Sequence, residues 1–542
     1  MSGEAGPLTG ERTIRPKGAS VWREPRPVVG FGLLLVLAGL SAAAFLGTSQ
    51  RVYGLGFPLD DSWIHQTYAR NLAERGEWAF LPGQPSAGST GPLWTAALAL
   101  GRWLGLDYRL WTYGLGVLLL ATAGWLCWRW LASRQPTRRG VALAGGLLVV
   151  LEWHLIWAGL SGMETLALAI VVILVLWGLD ADRPGPLGIG LLIGLGIWLR
   201  PDALTLLLPA GLAAVLLKRP RPWPLVRRLV LIALGTVLLL LPYLFFNHAL
   251  SGEWWPSTFY AKQAEYAALR QTPFLQRLAA QLEWPLLGVG AALGIGIAIG
   301  VWRQVREGAW ERLAPAIWVG AYLTAYALRL PVTYQHGRYA MPVIPVLLVL
   351  GVEGLLGWAQ PGSLQLMRRV VSRVWILTVV AITIIYWVRG ARAYAQDVAI
   401  IETEMVAAAR WISAQTPPES LVAAHDIGAL GYFGERDILD LAGLVSPEVL
   451  PILRDEAALA DLLDRRHADY LMTFPGWYPA LTLRAAPVYT TGGQFAPAAG
   501  HENMVVYRWR AGPFARAAPG VLYFPQSCGS RVDHGNDRGH HR

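Results

Sequence analysis

The sequence predicts an all-α polytopic membrane domain, with about eleven crossings and a short re-entrant segment, followed by a small C-terminal α/β domain outside the membrane. Three observations lead there. Hydrophobic residues make up 54% of the 542-residue chain, and charged residues only 15%. The apolar residues are gathered into blocks long enough to cross a hydrocarbon layer of roughly 30 Å. Beyond about Gly390 the blocks stop and short strand and helix patterns alternate. A soluble chain of this length would need more charge to stay dispersed.

Taken in order, residues 28–46, 110–131, 141–160, 229–246, 284–301, 315–330, 339–355 and 375–388 read as spans. Shorter blocks lie at 92–106, 163–179, 188–199 and 204–217. The basic start and Ser41-Ala42-Ala43-Ala44 imitate a signal peptide, but the apolar run exceeds a usual h-region, so the first helix is read as uncleaved. Arg12, Arg15, Lys17, Arg23 and Arg26 place residues 1–27 in the cytoplasm. The clusters Arg134/Arg138/Arg139, Lys218/Arg219/Arg221/Arg227/Arg228, Arg303/Arg306/Arg312 and Arg368/Arg369/Arg373 all face inward only if 92–106 does not cross fully. The expected organisation is a membrane domain over 28–390 with its first external loop at 47–91, an external domain over 391–511 and a disordered tail over 512–542. The localisation that follows is the inner (plasma) membrane, multi-pass, with the N-terminus cytoplasmic and the C-terminal domain outside.

Within the external domain, 398–414 reads as an amphipathic helix ending before Thr416-Pro417-Pro418. Residues 421–425, 469–474 and 504–509 read as strands and 456–466 as a helix, an α/β alternation. Its polar residues His425, Asp426 and Asp440 read as solvated loop positions.

The net charge of +10 raises nucleic-acid binding. The basic residues sit in short loops between apolar blocks, where they act as topology signals, and this argues against it. Cys127 lies in an apolar block and Cys528 in a polar tail, so a disulfide between them is not expected, and no Cys/His spacing suggests zinc.

This topology gathers Asp60, Asp61, Glu164, Arg200, Asp202, His248, Lys262, His336 and Arg338 at the outer face. Asp60-Asp61 precede a helical stretch at 63–75. Capping would account for one carboxylate there, but not for two adjacent ones at a membrane boundary. Glu164 opens an apolar helix, where a carboxylate meets the positive helix end; near-membrane carboxylates are otherwise functional candidates. Arg200 and Asp202 interrupt an apolar hairpin, and mutual pairing is the plain alternative to a substrate role. Lys262, His336 and Arg338 suit an anionic phosphate, although Arg338 would also serve as a snorkelling anchor. His154 reads as a core histidine.

The segment PLDDSWIHQTYARNLAERGEWAF…PGQPSAGSTGPLW resembles the first loop of the GT-C-type bacterial glycosyltransferases, which include mannosyl-, arabinofuranosyl- and lipid A-modifying transferases. SGMET, LRPDAL, PSTFYAK, GRYAMPVIP and VAAHDIGALGYFGERDILDLAGLVSPE follow in the family's order, so the resemblance covers most of 30–510. Its individual motifs are loose; their ordered combination is the specific part. Thr67 stands where relatives often carry Arg, and Gly88-Ser89-Thr90-Gly91 replace a common aromatic, which leaves donor and acceptor open.

The resemblance implies a polyprenyl-phosphate sugar as donor and a glycan, lipid or protein as acceptor at the outer face of the bilayer. It implies inversion at the anomeric carbon, with a first-loop Asp as general base: Asp60 first, Asp61 second. Glu164, Arg200, Asp202, His248, Tyr260, Lys262, His336 and Arg338 are the expected substrate-binding residues. No metal is required, since Lys262 and Arg338 would face the leaving phosphate; Mg²⁺ or Mn²⁺ on Asp60/Asp61 is the cofactor alternative. The external domain is expected to cap the site or bind the acceptor. The rival reading is a transporter or flippase, whose charges usually cluster at the midplane between repeated halves; no internal repeat is visible. A non-catalytic scaffold is the third reading.

Overall fold

The computed structural model describes residues 26–216, 222–358 and 365–510. The basic tail before Arg26, the Lys218/Arg219/Arg221 cluster, Cys528 and the tail expected over 512–542 lie outside the described residues.

Among the described residues, five helices are long and apolar enough to cross a membrane: Pro27–Val52, Tyr108–Arg134, Pro222–Ser251, Tyr334–Leu356 and Arg369–Gln415. Two bent pairs raise the number to seven if each is one span, and Thr165–Ala181, Pro186–Leu199 and Pro201–Val215 are shorter apolar helices. The block at 141–160 is bent by 52° between Arg139–Leu151 and Trp153–Leu160. Glu152 causes the break: its carboxylate accepts the Leu155 backbone N–H at 2.9 Å and so starts a second helix. The block at 284–301 is bent by 108° between Phe274–Leu286 and Val289–Arg306, across Pro285 and Gly288, whose φ is +95°. Pro92–Trp103 has 12 residues, about 18 Å of helix, too short for a full crossing.

Small residues let the helices approach closely. A Cβ on Gly190 would collide with the Ile232 carbonyl, and one on Gly235 with the Leu187 carbonyl, so Pro186–Leu199 and Pro222–Ser251 pack backbone to backbone. At one end of the bundle, buried Arg134 donates to Asp180 at 2.6 and 3.0 Å and to buried Glu353 at 2.6 Å. These bonds tie three helices together through their ends. Ile376, Leu377, Ile384 and Ile385 are exposed on the last long helix, an apolar face suited to lipid.

That helix does not stop where the composition changes. Gln365–Ile401 runs through a π turn at Glu402–Val406 into Ala407–Gln415, so residue 390 lies inside one continuous rod. The first loop contributes a small hairpin, β1 (Ala79–Leu81) with β2 (Gln84–Pro85). The rest of the β structure is a five-stranded mixed sheet: β3 (Leu421–Ala424), β4 (Asp437–Asp440), β5 (Tyr470–Thr473), β6 (Ala486–Thr490) and β7 (Val505–Arg508), in the order β4-β3-β5-β7-β6. β3 runs parallel to β4 and β5, and β7 antiparallel to β5 and β6. The patterns at 421–425, 469–474 and 504–509 announced β3, β5 and β7. β4 (DILD) and β6 (APVYT) went unannounced, being short and bounded by charge or proline.

The sheet domain is stitched to both neighbours. Glu404 accepts from Met504 N–H at 2.8 Å, from Asn503 at 3.0 Å and from the Thr491 hydroxyl, which fixes the β6/β7 edge on the rod. On the other side, helix Gly428–Phe433 packs against first-loop helix Asp61–Arg75. Trp63 meets Tyr432 and Phe433 with ring centroids 5.0 and 4.7 Å apart. Arg70 donates to the Tyr432 and Gly431 carbonyls at 2.7 and 3.0 Å.

Candidate active site

The first-loop helix begins at Asp61, with Asp60 as its N-cap residue, yet the Asp60 side chain bonds no N–H of its own helix. The two carboxylates point to different partners. Asp60 is buried, and its Oδ2 and Oδ1 accept the backbone N–H groups of Gly428 and Ala429 at 2.7 and 2.8 Å. Gly428 permits this: a Cβ there would collide with the Asp60 carbonyl and crowd its carboxylate. Asp60 is thus the clasp between first loop and sheet domain. Burial pushes its carboxyl up to about 6, against the lowering effect of the two N–H groups.

Asp61 turns the other way. Its Oδ2 accepts Arg338 Nη2 at 2.5 Å and Lys262 Nζ at 3.2 Å. Burial opposes its ionisation, but the two cations outweigh burial and hold the carboxyl well below the usual carboxylate range. Tyr339 O–H accepts from Lys262 at 2.9 Å and from Arg338 at 3.0 Å, and the tyrosine ring lies under both cations and Arg200. Arg338 is 5% exposed, and its Nε and Nη1 have no protein partner. A buried guanidinium that lines a cavity and keeps two donors unpartnered is prepared for an anion.

That cavity, of about 200 Å³, is lined by Asp61, Glu164, Arg200, Asp202, Lys262 and Arg338 among others. Arg200 pairs with Asp202 at 2.7 Å and approaches Glu164 at 3.5 Å; Tyr326 O–H donates to Asp202 at 2.5 Å. Glu164 also faces His65 Nε2 at 3.4 Å, while His65 Nδ1 bonds the Thr95 hydroxyl at 2.9 Å. His65 and Tyr339 were missed in the sequence. The spacing of Asp61 and His65, one helical turn apart, was the available signal for the former.

A second cavity, of about 150 Å³, meets the first at Asp61, Ile64, Lys262 and Arg338. Its far wall brings in Asp60, Glu265 and, from the sheet domain, His425 and Asp426. His425 and Asp426 are therefore cavity residues rather than solvated loop positions. Asp440 is also buried, accepting Ala442 and Val445 N–H at 2.8 and 2.7 Å within its own loop.

Three expected residues line neither cavity. His336 is buried among Trp153, Trp157 and Trp284, with Nε2 2.7 Å from Asp397. His248 is exposed and stacks on Trp254 at 4.4 Å. Tyr260 meets Phe259 edge to face. The donor set at the aspartate pair does not suit a divalent cation either. Two protein cations already share one oxygen of Asp61, and both oxygens of Asp60 accept backbone N–H bonds.

A family model described as a domain of unknown function, DUF8728, matches residues 392–509. No curated protein matches. Among solved structures, the chain is similar to ArnT from Cupriavidus metallidurans bound to undecaprenyl phosphate, with a TM-score of 0.55 and 14% identity over 88% of this chain and 98% of that one. The apo state of the same protein gives a TM-score of 0.50 and 16% identity over 89% and 98%. The likeness extends along nearly the whole length of that protein, and the chain has the GT-C fold.

Proposed function

We propose that the chain transfers a sugar from a polyprenyl-phosphate donor to an acceptor hydroxyl at the outer face of the membrane. The observation that carries this is Asp61, a carboxylate held between two cations where two cavities meet. In the free protein the cations neutralise it. A donor phosphate in the first cavity would draw Lys262 and Arg338, whose free Nε and Nη1 add further donors, and leave Asp61 to accept a proton.

The step balances. The acceptor oxygen bonds to the anomeric carbon as that carbon's bond to the phosphate oxygen breaks. The acceptor proton passes to Asp61, and the phosphate monoester leaves with its charge met by Lys262 and Arg338. A single displacement of this kind inverts the anomeric centre. Asp61, with its oxygen facing both cavities, fits the base better than Asp60, whose two oxygens are committed to the sheet domain. Glu164, Arg200 and Asp202 line the donor side and would orient the sugar. The likeness to ArnT supports the donor class, since that structure holds undecaprenyl phosphate.

The test uses the purified chain in lipid with radiolabelled polyprenyl-phosphate sugars and membrane extract as acceptor. Label should move in wild type and fall about 10²–10⁴-fold in Asp61→Asn. Undiminished transfer in that variant would remove Asp61 as base. If no polyprenyl phosphate binds the wild type, the transferase reading fails and a transporter reading gains.

A further inference from the structure

The two cavities share Asp61, Lys262 and Arg338 and differ in the rest of their walls. Arg200 and Arg329 line only the first. The second adds the carboxyl groups of Asp60, Glu265 and Asp426, with His425 and the rings of Tyr266 and Trp477 beside them. Three acids here are already engaged. Asp60 accepts from Gly428 and Ala429, Asp61 pairs with the two cations, and Glu265 pairs with His425 at 3.2 Å and Arg454 at 2.9 Å. Asp426 is different: among the described residues no hydrogen bond or ion pair reaches its carboxyl group, which faces the cavity. Arg338, nine-tenths buried with unpartnered donors, lines both spaces and separates the donor side from this one.

We propose that this second cavity holds the acceptor, that the acceptor presents an uncharged or amine-bearing sugar there rather than a phosphate-bearing group, and that Asp426 of the sheet domain is the residue that touches it. The inference rests on the transferase reading. A space of about 150 Å³ holds roughly ten waters, or one group the size of a sugar ring. Aromatic faces cover the apolar side of such a ring, while a carboxyl group with no protein partner takes a hydroxyl or amine. Burial, and then the negative charge of Asp60, push Asp426 up to about 8, so the group meets an acceptor chiefly as a neutral acid able to donate as well as accept. With Lys262 and Arg338 drawn to the donor phosphate, a second phosphate entering here would meet the carboxylates of Asp61 and Glu265 and lose its hydration, which disfavours that class of acceptor. The fold brings Asp426 there through the Asp60 clasp, which holds the turn after β3 directly over the first loop.

The experiment is saturation-transfer NMR on the full chain in lipid nanodiscs, with methyl glucoside, glucosamine and glucose 6-phosphate as probes. Binding of undecaprenyl phosphate is measured in parallel. Methyl glucoside and glucosamine should receive saturation and glucose 6-phosphate should not. Asp426→Asn and Trp477→Ala should weaken sugar binding about tenfold, with undecaprenyl phosphate binding unchanged as the sign of an intact fold. Equal binding of glucose 6-phosphate, or unaltered sugar binding in both variants, overturns the proposal while leaving the transferase reading standing. Failure of undecaprenyl phosphate to bind wild type sinks that reading, and this inference with it.

Discussion

Asp60 and Asp61 are neighbours in sequence and differ in nearly everything else. One carboxylate bonds the backbone of a segment 368 residues away, the other bonds side chains 201 and 277 residues away. Asp60→Asn should therefore loosen the sheet domain and lower thermal stability, because an amide nitrogen cannot accept one of the two N–H groups and leaves it unsatisfied at a cost of about 1–3 kcal/mol. Asp61→Asn takes the counter-charge from Lys262 and Arg338, so it should lower the melting temperature as well as reduce transfer about 10²–10⁴-fold; transfer measured at a temperature where differential scanning fluorimetry shows both variants folded separates the two. Asp426 gives a pH test. Folded, its carboxyl holds a proton up to about pH 8, against 3.8 for the ordinary group. The folded state thus binds more protons across that window, and stability falls as pH rises through it. Asp426→Asn removes the effect, so its melting temperature relative to wild type should climb between pH 3.8 and about pH 8. A constant difference would show that burial at Asp426 does not act as described. Asp61, with its depressed carboxyl, works in the opposite sense and loses its contribution only in strong acid.

At the scale of elements, two short segments aim the site. Gln335, His336 and Gly337 have φ of +53°, +59° and +65°, a run that costs of order 1–3 kcal/mol for each non-glycine residue. His336 is pinned by Asp397, which also accepts Trp157 Nε1 at 2.8 Å. The run turns the chain so that Arg338 and Tyr339 face Asp61. His336→Ala should release it and lower transfer about tenfold or more through misplacement of Arg338, with weaker undecaprenyl phosphate binding as the accompanying sign. The other segment is Ile427–Ala429. Gly428→Ala puts a methyl group against Asp60, and overpacking of this kind typically costs about 1–3 kcal/mol. The expected result is a lower melting temperature and easier proteolysis between the rod and β3. These segments were legible only in part. GRYAMPVIP and AHDIGAL stood out in the sequence as family-like stretches, but nothing in their spacing says that the first is strained or that the second reaches back to Asp60.

Across the whole molecule, the charges at the two ends of the bundle have different occupations. Those around Asp61 line cavities, whereas Arg134, read from sequence as a topology signal in a short loop, is buried and paired with Asp180 and Glu353. Arg134→Ala would leave two carboxylates without their cation, at a cost of about 3–5 kcal/mol. Reduced yield and a lower melting temperature in lipid, with the donor cavity untouched, are the expected readout. The hydropathy pattern found each long helix, closely for 339–355 inside Tyr334–Leu356, but 375–388 is only the apolar part of Arg369–Gln415, whose polar continuation carries no hydropathy signal. It could not show that 141–160 and 284–301 each break, because a bend depends on where Glu152 or Gly288 finds partners rather than on mean hydropathy.

The sequence by itself determined the solvent of this protein, the helical character of its main domain, the strand and helix alternation of the last, and the segments from which Asp61, Glu164, Arg200, Lys262 and Arg338 come. Each of these depends on local sums or periods, which a linear reading can take. Only the tertiary structure decided that Asp60 is a clasp, that His248 stands outside, that His65 and Tyr339 belong to the site, and that Asp426 closes a second cavity. Those outcomes are contacts between segments hundreds of residues apart, set by which buried carboxylate reaches a donor first, and no local pattern encodes that competition.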